Sequence, residues 1–304
     1  MQYPALEELV APARANSAIW RIVLGLILVV IVYVAGLGAL FGMLVLVTGF
    51  SGAGQWMARM AGADSPTATL LLLATFIGMG IGPLLAARVV HRRPSGSLFG
   101  ARARVLRHFL VALVLCGALY GLRALWPMGI EPVRNLPTAL WLSFLPLALV
   151  GVLLQTGAEE VLFRGYIQSQ LAARFSSPLI WMVLPSGVFA LLHFQPDTYG
   201  PAAWMVVGAI FLFALLAADL TARTGTIGAA WGFHFANNCG AILLVGIEGS
   251  LSGLALYTVP VAQLGAGNLA PMLALDMLVM IAVWAAIRLA LGWSAQDDGG
   301  AASK

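Results

Sequence analysis

Five side chains in otherwise apolar surroundings are of the types that move protons: Glu159, Glu160, His193, His234 and Asn238. A carboxylate takes a proton from water, a neutral imidazole shares in that transfer, and imidazole or amide N–H groups donate to an oxyanion. Together these are the parts for activating a water against a carbonyl. Their companions sit at helical spacing. Arg164 follows Glu160 by four residues, Phe189 precedes His193 by four and Asn238 follows His234 by four, so each pair shares a helix face one turn apart. Each piece alone has a plain structural reading. A Glu–Arg pair is also a structural ion pair, a single interfacial His a packing residue, and an Asn an inter-helix hydrogen bond. Jointly that reading weakens, because two of only four histidines lie in apolar spans alongside the adjacent acid pair there. Which glutamate would face the water stays open, since successive helical residues point about 100° apart.

The elements that must position these groups are membrane helices. Of 304 residues, 61% are hydrophobic and 9% charged, against about a quarter charged in a soluble domain. Charge-free runs at 22–58, 65–87, 135–158, 175–196, 198–218, 224–247 and 249–275 mostly exceed the ~20 residues a helix needs to cross the hydrocarbon core. They lack the in/out alternation of a barrel. The expected fold is therefore all-α, a polytopic bundle of about eight helices near 18–48, 67–90, 104–126, 138–157, 178–194, 201–222, 226–246 and 269–291. Arg123 interrupts the third before Leu125 and Trp126. The amphipathic segment 158–176, with Glu159, Glu160, Arg164, Gln168, Gln170 and Arg174 among apolar residues, either continues the fourth span or bends from it along the interface. The expected organisation is an N-terminal cytoplasmic segment (1–17), a membrane domain (18–293) with its chemical core at 138–246, and a disordered tail (294–304).

Charge sets the orientation. Arg88, Arg92, Arg93, Arg102, Arg104 and Arg107 cluster between two apolar runs, which marks a cytoplasmic loop facing anionic lipid rather than a nucleic-acid site. Arg14, Arg21, Arg174, Arg223, Arg288 and Lys304 then fall inside, Arg59, Arg123 and Arg134 outside, and both termini are cytoplasmic. Simple counting puts Glu159 near the cytoplasmic face and His193 toward the far one, a conflict that vanishes if the fourth helix runs on past Glu159 or the fifth is strongly tilted. The first apolar run is too long for a signal peptide. Cys116 and Cys239 read as buried thiols. Asp219 and Arg223 read as a pair, and Asp276 has no partner that the sequence names. One lysine against fifteen arginines fits a GC-rich bacterial source and an inner (cytoplasmic) membrane.

The runs Glu159-Glu160-Val161-Leu162-Phe163-Arg164, Phe189 to His193 and His234 to Asn238 fit E-E-x-x-x-R, F-x-x-x-H and H-x-x-x-N in order. In this the chain resembles the CPBP (ABI) family of intramembrane peptidases, which includes the CAAX prenyl protease 2 (Rce1-type) enzymes. The resemblance implies hydrolysis of a peptide bond in a membrane-associated protein or lipidated peptide. Glu159 would be general base on a water shared with His193, His234 and Asn238 the oxyanion donors, and Glu160, Arg164 and Phe189 the groups that orient them. No cofactor is required. A zinc site of Glu159, His193 and His234 is the alternative, consistent with the metalloprotease label some members carry. Other readings are a non-catalytic scaffold or bacteriocin-immunity protein of the same family, and a proton-coupled transporter.

Overall fold

The computed structural model describes residues 3–124, 131–263 and 266–301. A short helix α1 (Glu7–Arg14) leads into α2 (Ile19–Gly62), α3 (Pro66–Val89) and α4 (Arg102–Ala124). Strand β1 (Val133–Arg134) precedes α5 (Thr138–Glu160), which passes without a break into a π-helical stretch, Val161–Gln168, and then α6 (Ser169–Arg174). A second π stretch, Leu179–Val183, opens α7 (Leu184–Leu191). One turn, α8 (Pro196–Tyr199), leads to α9 (Ala203–Thr224) and α10 (Gly228–Asn238), the latter ending in a third π stretch, Cys239–Leu244. Strands β2 (Val245–Ile247) and β3 (Tyr257–Val259) precede the last helix, α11 (Ala266–Ala301).

The molecule is an integral membrane helical bundle. Leu46, Val47 and Phe50 are 89%, 77% and 75% exposed, an apolar surface that water would penalise and lipid does not. Among the described residues, six helical segments are long and apolar enough to cross a membrane: Ile19–Gly62, Pro66–Val89, Arg102–Ala124, Thr138–Arg174, Pro196–Thr224 and Leu269–Gly292. The expected count of eight is not confirmed by this measure. The fifth expected span is the shorter helix Leu179–Leu191, and the seventh is α10 with its π extension. The first runs past its expected end to Gly62, across a non-helical Gly49 (φ 75°, ψ 170°). The last covers most of the tail expected to be disordered from 294, while 302–304 lie outside the described residues, as do 125 and 126 of the third span.

Small residues bring the helices close, as lipid-embedded packing requires. A Cβ on Gly78 would lie 3.1 Å from the Tyr33 Cα, and one on Gly82 3.0 Å from the Val29 Cα, so α3 lies directly on α2. Gly228 and Gly232 do the same for α10, where a Cβ would collide with the Val105 and Phe109 carbonyl oxygens of α4. Gly157 leaves room for the Trp231 ring, whose Nε1 donates to Leu153 O and Thr156 Oγ1 of α5. The core runs between these elements through Phe163, Tyr166, Phe189, Phe213, Leu220 and Phe233.

Two structures close the ends of the bundle. A three-stranded sheet of order β1-β3-β2 pairs Val133 with Thr258 antiparallel and Gly246 with Thr258 parallel. At the other end α1 buries Leu6, Leu9, Val10 and Ala13, with Trp181, Met182, Ala218 and Ala222 in the same cluster. One of the loop arginines expected to face lipid does not: Arg93 is 1% exposed and donates to Ser97 Oγ, Ser169 Oγ and Leu9 O. Its neighbours Arg88, Arg92, Arg102 and Arg107 are exposed.

Candidate active site

The unbroken rod Thr138–Arg174 answers the depth conflict. Of the two possibilities for the segment after Glu159, continuation is the one observed, so the glutamates sit in the interior of a 37-residue helical segment rather than at its end. The shortened Leu179–Leu191 helix removes the other half of the conflict, because His193 follows only 13 residues of helix. A π turn immediately after the acid pair is itself notable, as such turns recur at functional sites.

Glu160 is fully buried. Its Oε1 accepts from Arg164 Nη1 at 2.9 Å and lies 2.8 Å from His234 Nδ1, while its Oε2 has no hydrogen-bond partner. Arg164 gives a second hydrogen bond to the Ala214 carbonyl at 3.2 Å and lies over the Phe189 ring at 5.0 Å. A carboxylate paired with a guanidinium is an acceptor only, so His234 Nδ1 carries the proton toward Glu160. The other ring nitrogen, Nε2, then faces Glu159 Oε2 at 3.4 Å.

Glu159 Oε2 also accepts from Gln155 Nε2 at 2.8 Å, and Gln155 Oε1 accepts from Asn238 Nδ2 at 2.9 Å. Asn238 Oδ1 in turn is 3.4 Å from Asn237 Nδ2, and Asn237 Oδ1 accepts from Tyr120 of α4. Glu159 Oε1 has no hydrogen-bond partner among the described residues. Each acid thus keeps one unpartnered oxygen, but Glu160 is fully buried and engaged by an arginine and a histidine, while Glu159 is held by an amide.

His193 is half-buried at the end of α7, and its Nδ1 donates to the Phe189 carbonyl at 2.8 Å. That tautomer leaves Nε2 as an acceptor. His193 makes no direct bond to Glu159. The buried Phe189 ring connects them, 4.8 Å from the His193 ring and 6.0 Å from that of His234. The structure therefore brings Glu159, Glu160, Arg164, Phe189, His234 and Asn238 into one contact network, and His193 joins it through Phe189.

Gln155 is the residue that the spacing argument passed over. Its signal was present: a polar side chain one turn before Glu159 in an apolar span, 6% exposed, where an amide needs a partner. Asp276, without a named partner in the sequence, meets Arg123 at 3.8 Å. Asp219 pairs with Arg223 at 3.0 Å and also accepts from Tyr3 and Trp284. Among the described residues no three His, Cys, Asp or Glu side chains group as a metal site.

Residues 139–240 match the family model described as type II CAAX prenyl endopeptidase Rce1-like. The matched segment begins in the rod and ends just past Asn238, so it contains all three motifs and the network above. The chain is also similar to the uncharacterised protein YyaK of Bacillus subtilis (strain 168), 24% identical over 256 residues, which are 82% of this chain and 85% of that one. No solved structure matches.

Proposed function

With an Rce1-like segment at 139–240 as premise, we propose that this membrane protein is an intramembrane endopeptidase, cleaving a peptide bond of a membrane-associated or lipidated protein through water activated by Glu159. One observation carries the reading. Glu159 is bound only through Oε2, to Gln155 and facing His234, and keeps 7% exposure, whereas Glu160 is fully buried and paired with both Arg164 and His234. The base must be reachable by water and free of an ion pair, and of the two adjacent acids Glu159 is the one that is neither fully buried nor paired with an arginine.

In the proposed reaction a water binds between Glu159 Oε1 and His193 Nε2. Glu159 takes its proton as the oxygen attacks the scissile carbonyl carbon. The carbonyl π electrons move onto oxygen, and the oxyanion accepts from the amide N–H of Asn238 not engaged by Gln155, a contribution of roughly 3–4 kcal/mol for one such donor. Collapse breaks the C–N bond, and the proton on Glu159 passes to the departing amine. Glu160 and Arg164 hold His234 in place throughout. No step is routed through a metal. The bacterial inner membrane, with both termini cytoplasmic, is the proposed setting.

The test is cleavage by the detergent-purified protein of a fluorogenic peptide library that includes a farnesylated CAAX peptide. Wild type is compared with Glu159→Ala and His193→Ala, with and without a zinc chelator. Loss in both variants with full activity in chelator is expected. Chelator-sensitive cleavage would overturn the metal-free mechanism, and unchanged cleavage by Glu159→Ala would overturn the assignment of the base. A non-catalytic scaffold, the competing reading, predicts folded variants and no cleavage by any of them.

A further inference from the structure

Two grooves meet at Arg14 and Arg174, at the end of the molecule where α1 folds beneath the rod. One, about 380 Å³, is walled by apolar side chains including Leu6, Val10, Phe175 and Trp181. The other, about 650 Å³, is lined by the linker between α1 and α2, by Arg21, and by both shared arginines. The charges around it are unequal in their compensation. Arg14 is held by both oxygens of Glu7, at 2.9 and 2.7 Å. Arg21 donates only to a neutral acceptor, the Val90 carbonyl, and lies over the Trp20 ring at 4.7 Å. Arg174 is exposed and has neither ion pair nor hydrogen bond among the described residues. Two guanidinium groups without counter-charge therefore line one groove, an arrangement that an anion relieves.

Depth identifies the source of that anion. Trp20 is 60% exposed on the first turn of a membrane-spanning helix, the position of an interfacial anchor, so the groove opens at headgroup level. An apolar channel that shares Arg174 with the groove suits a molecule that is anionic at one end and hydrocarbon at the other. We propose that this groove binds the phosphate of an anionic phospholipid, with Arg21 and Arg174 as its ligands and an acyl chain in the adjoining channel. Guanidinium pairs with phosphate oxygens through two parallel hydrogen bonds, which a single ammonium cannot reproduce. The bound lipid ties the α1–α2 linker to the end of the rod that carries Glu159 and Glu160.

Native mass spectrometry of the full chain released from nanodiscs of mixed phosphatidylglycerol and phosphatidylcholine tests this. Retained phosphatidylglycerol should exceed its share of the bilayer. Arg174→Gln, which removes a side chain without a protein partner, and Arg21→Gln should each cut that enrichment roughly fivefold, the effect of one arginine near an anionic surface. Arg88→Gln, an exposed arginine outside the groove, should leave it unchanged. Equal enrichment in Arg174→Gln and wild type, or an equal loss in Arg88→Gln, would overturn the site. Glycerol phosphate added in place of the lipid separates the two sources of the same chemistry. If it binds with the same arginine dependence, the lipid assignment is overturned in favour of a soluble phosphate ester.

Discussion

Glu160 is fully buried and paired with Arg164 and His234, while Glu159 keeps a little exposure and is held by Gln155. On the proposed mechanism this asymmetry makes the two glutamates fail differently. Glu159→Gln keeps the shape and removes the base, so kcat should fall by about 10²–10⁴ with melting unchanged. Glu160→Gln removes one partner of a buried ion pair and should cost about 3–5 kcal/mol of stability, read as a lowered Tm. Gln155→Leu should lower kcat by up to about 100-fold through misplacement of Glu159, with KM held, because Gln155 would not touch substrate. Steady-state kinetics beside thermal melts on the three variants check all of this. The sequence made the motif residues legible by their spacing and left the choice between the acids open, because a 100° offset says nothing about what fills the far side. Only the three-dimensional partners of each carboxylate separate them.

At the scale of elements, the approach of α10 to α4 places His234 and Asn238. A side chain at Gly232 would meet the Phe109 carbonyl and the Ala112 Cβ, whereas nothing lies within 4 Å of a Cβ at Gly240 in the same helical segment. Gly232→Ala should therefore destabilise by about 1–3 kcal/mol and reduce cleavage, and Gly240→Ala should do neither. Thermal unfolding in detergent with the activity assay separates the two. Helical membrane character was plain from the apolar runs, and the rod's continuation through Glu160 was one of two readings of an amphipathic segment. The π turns and the shortened fifth helix were not legible. Apolar residues satisfy lipid in any helical winding, so composition does not distinguish a 13-residue helix flanked by loop from a full span.

For the molecule as a whole, one buried histidine links its parts. His91, between α3 and α4, donates to the Asn16 carbonyl and accepts from Tyr166 of the rod at 2.7 Å. Burial, aided by the charges of Arg93 and Arg21, holds its pKa below the ordinary 6.5. The unfolded chain then binds the proton more readily than the folded one, so this contribution is complete above about 6.5 and is lost as pH falls below that value toward the depressed folded pKa. The Tm of wild type should accordingly drop on acidification across this window, and His91→Gln should flatten the drop. A second junction, Asp219, gathers Tyr3, Arg223 and Trp284. Its members are far apart in the order of synthesis. A ribosome adding about 5–20 residues per second needs on the order of tens of seconds between Tyr3 and Trp284. For most of that interval, until Ala222 is made, the apolar face of Leu6 and of Leu9 and Val10 of α1 has no finished seat. The nascent protein must shelter that face, against the membrane surface or a chaperone, and α1 docks only after α9 is made although it is among the first elements to be made.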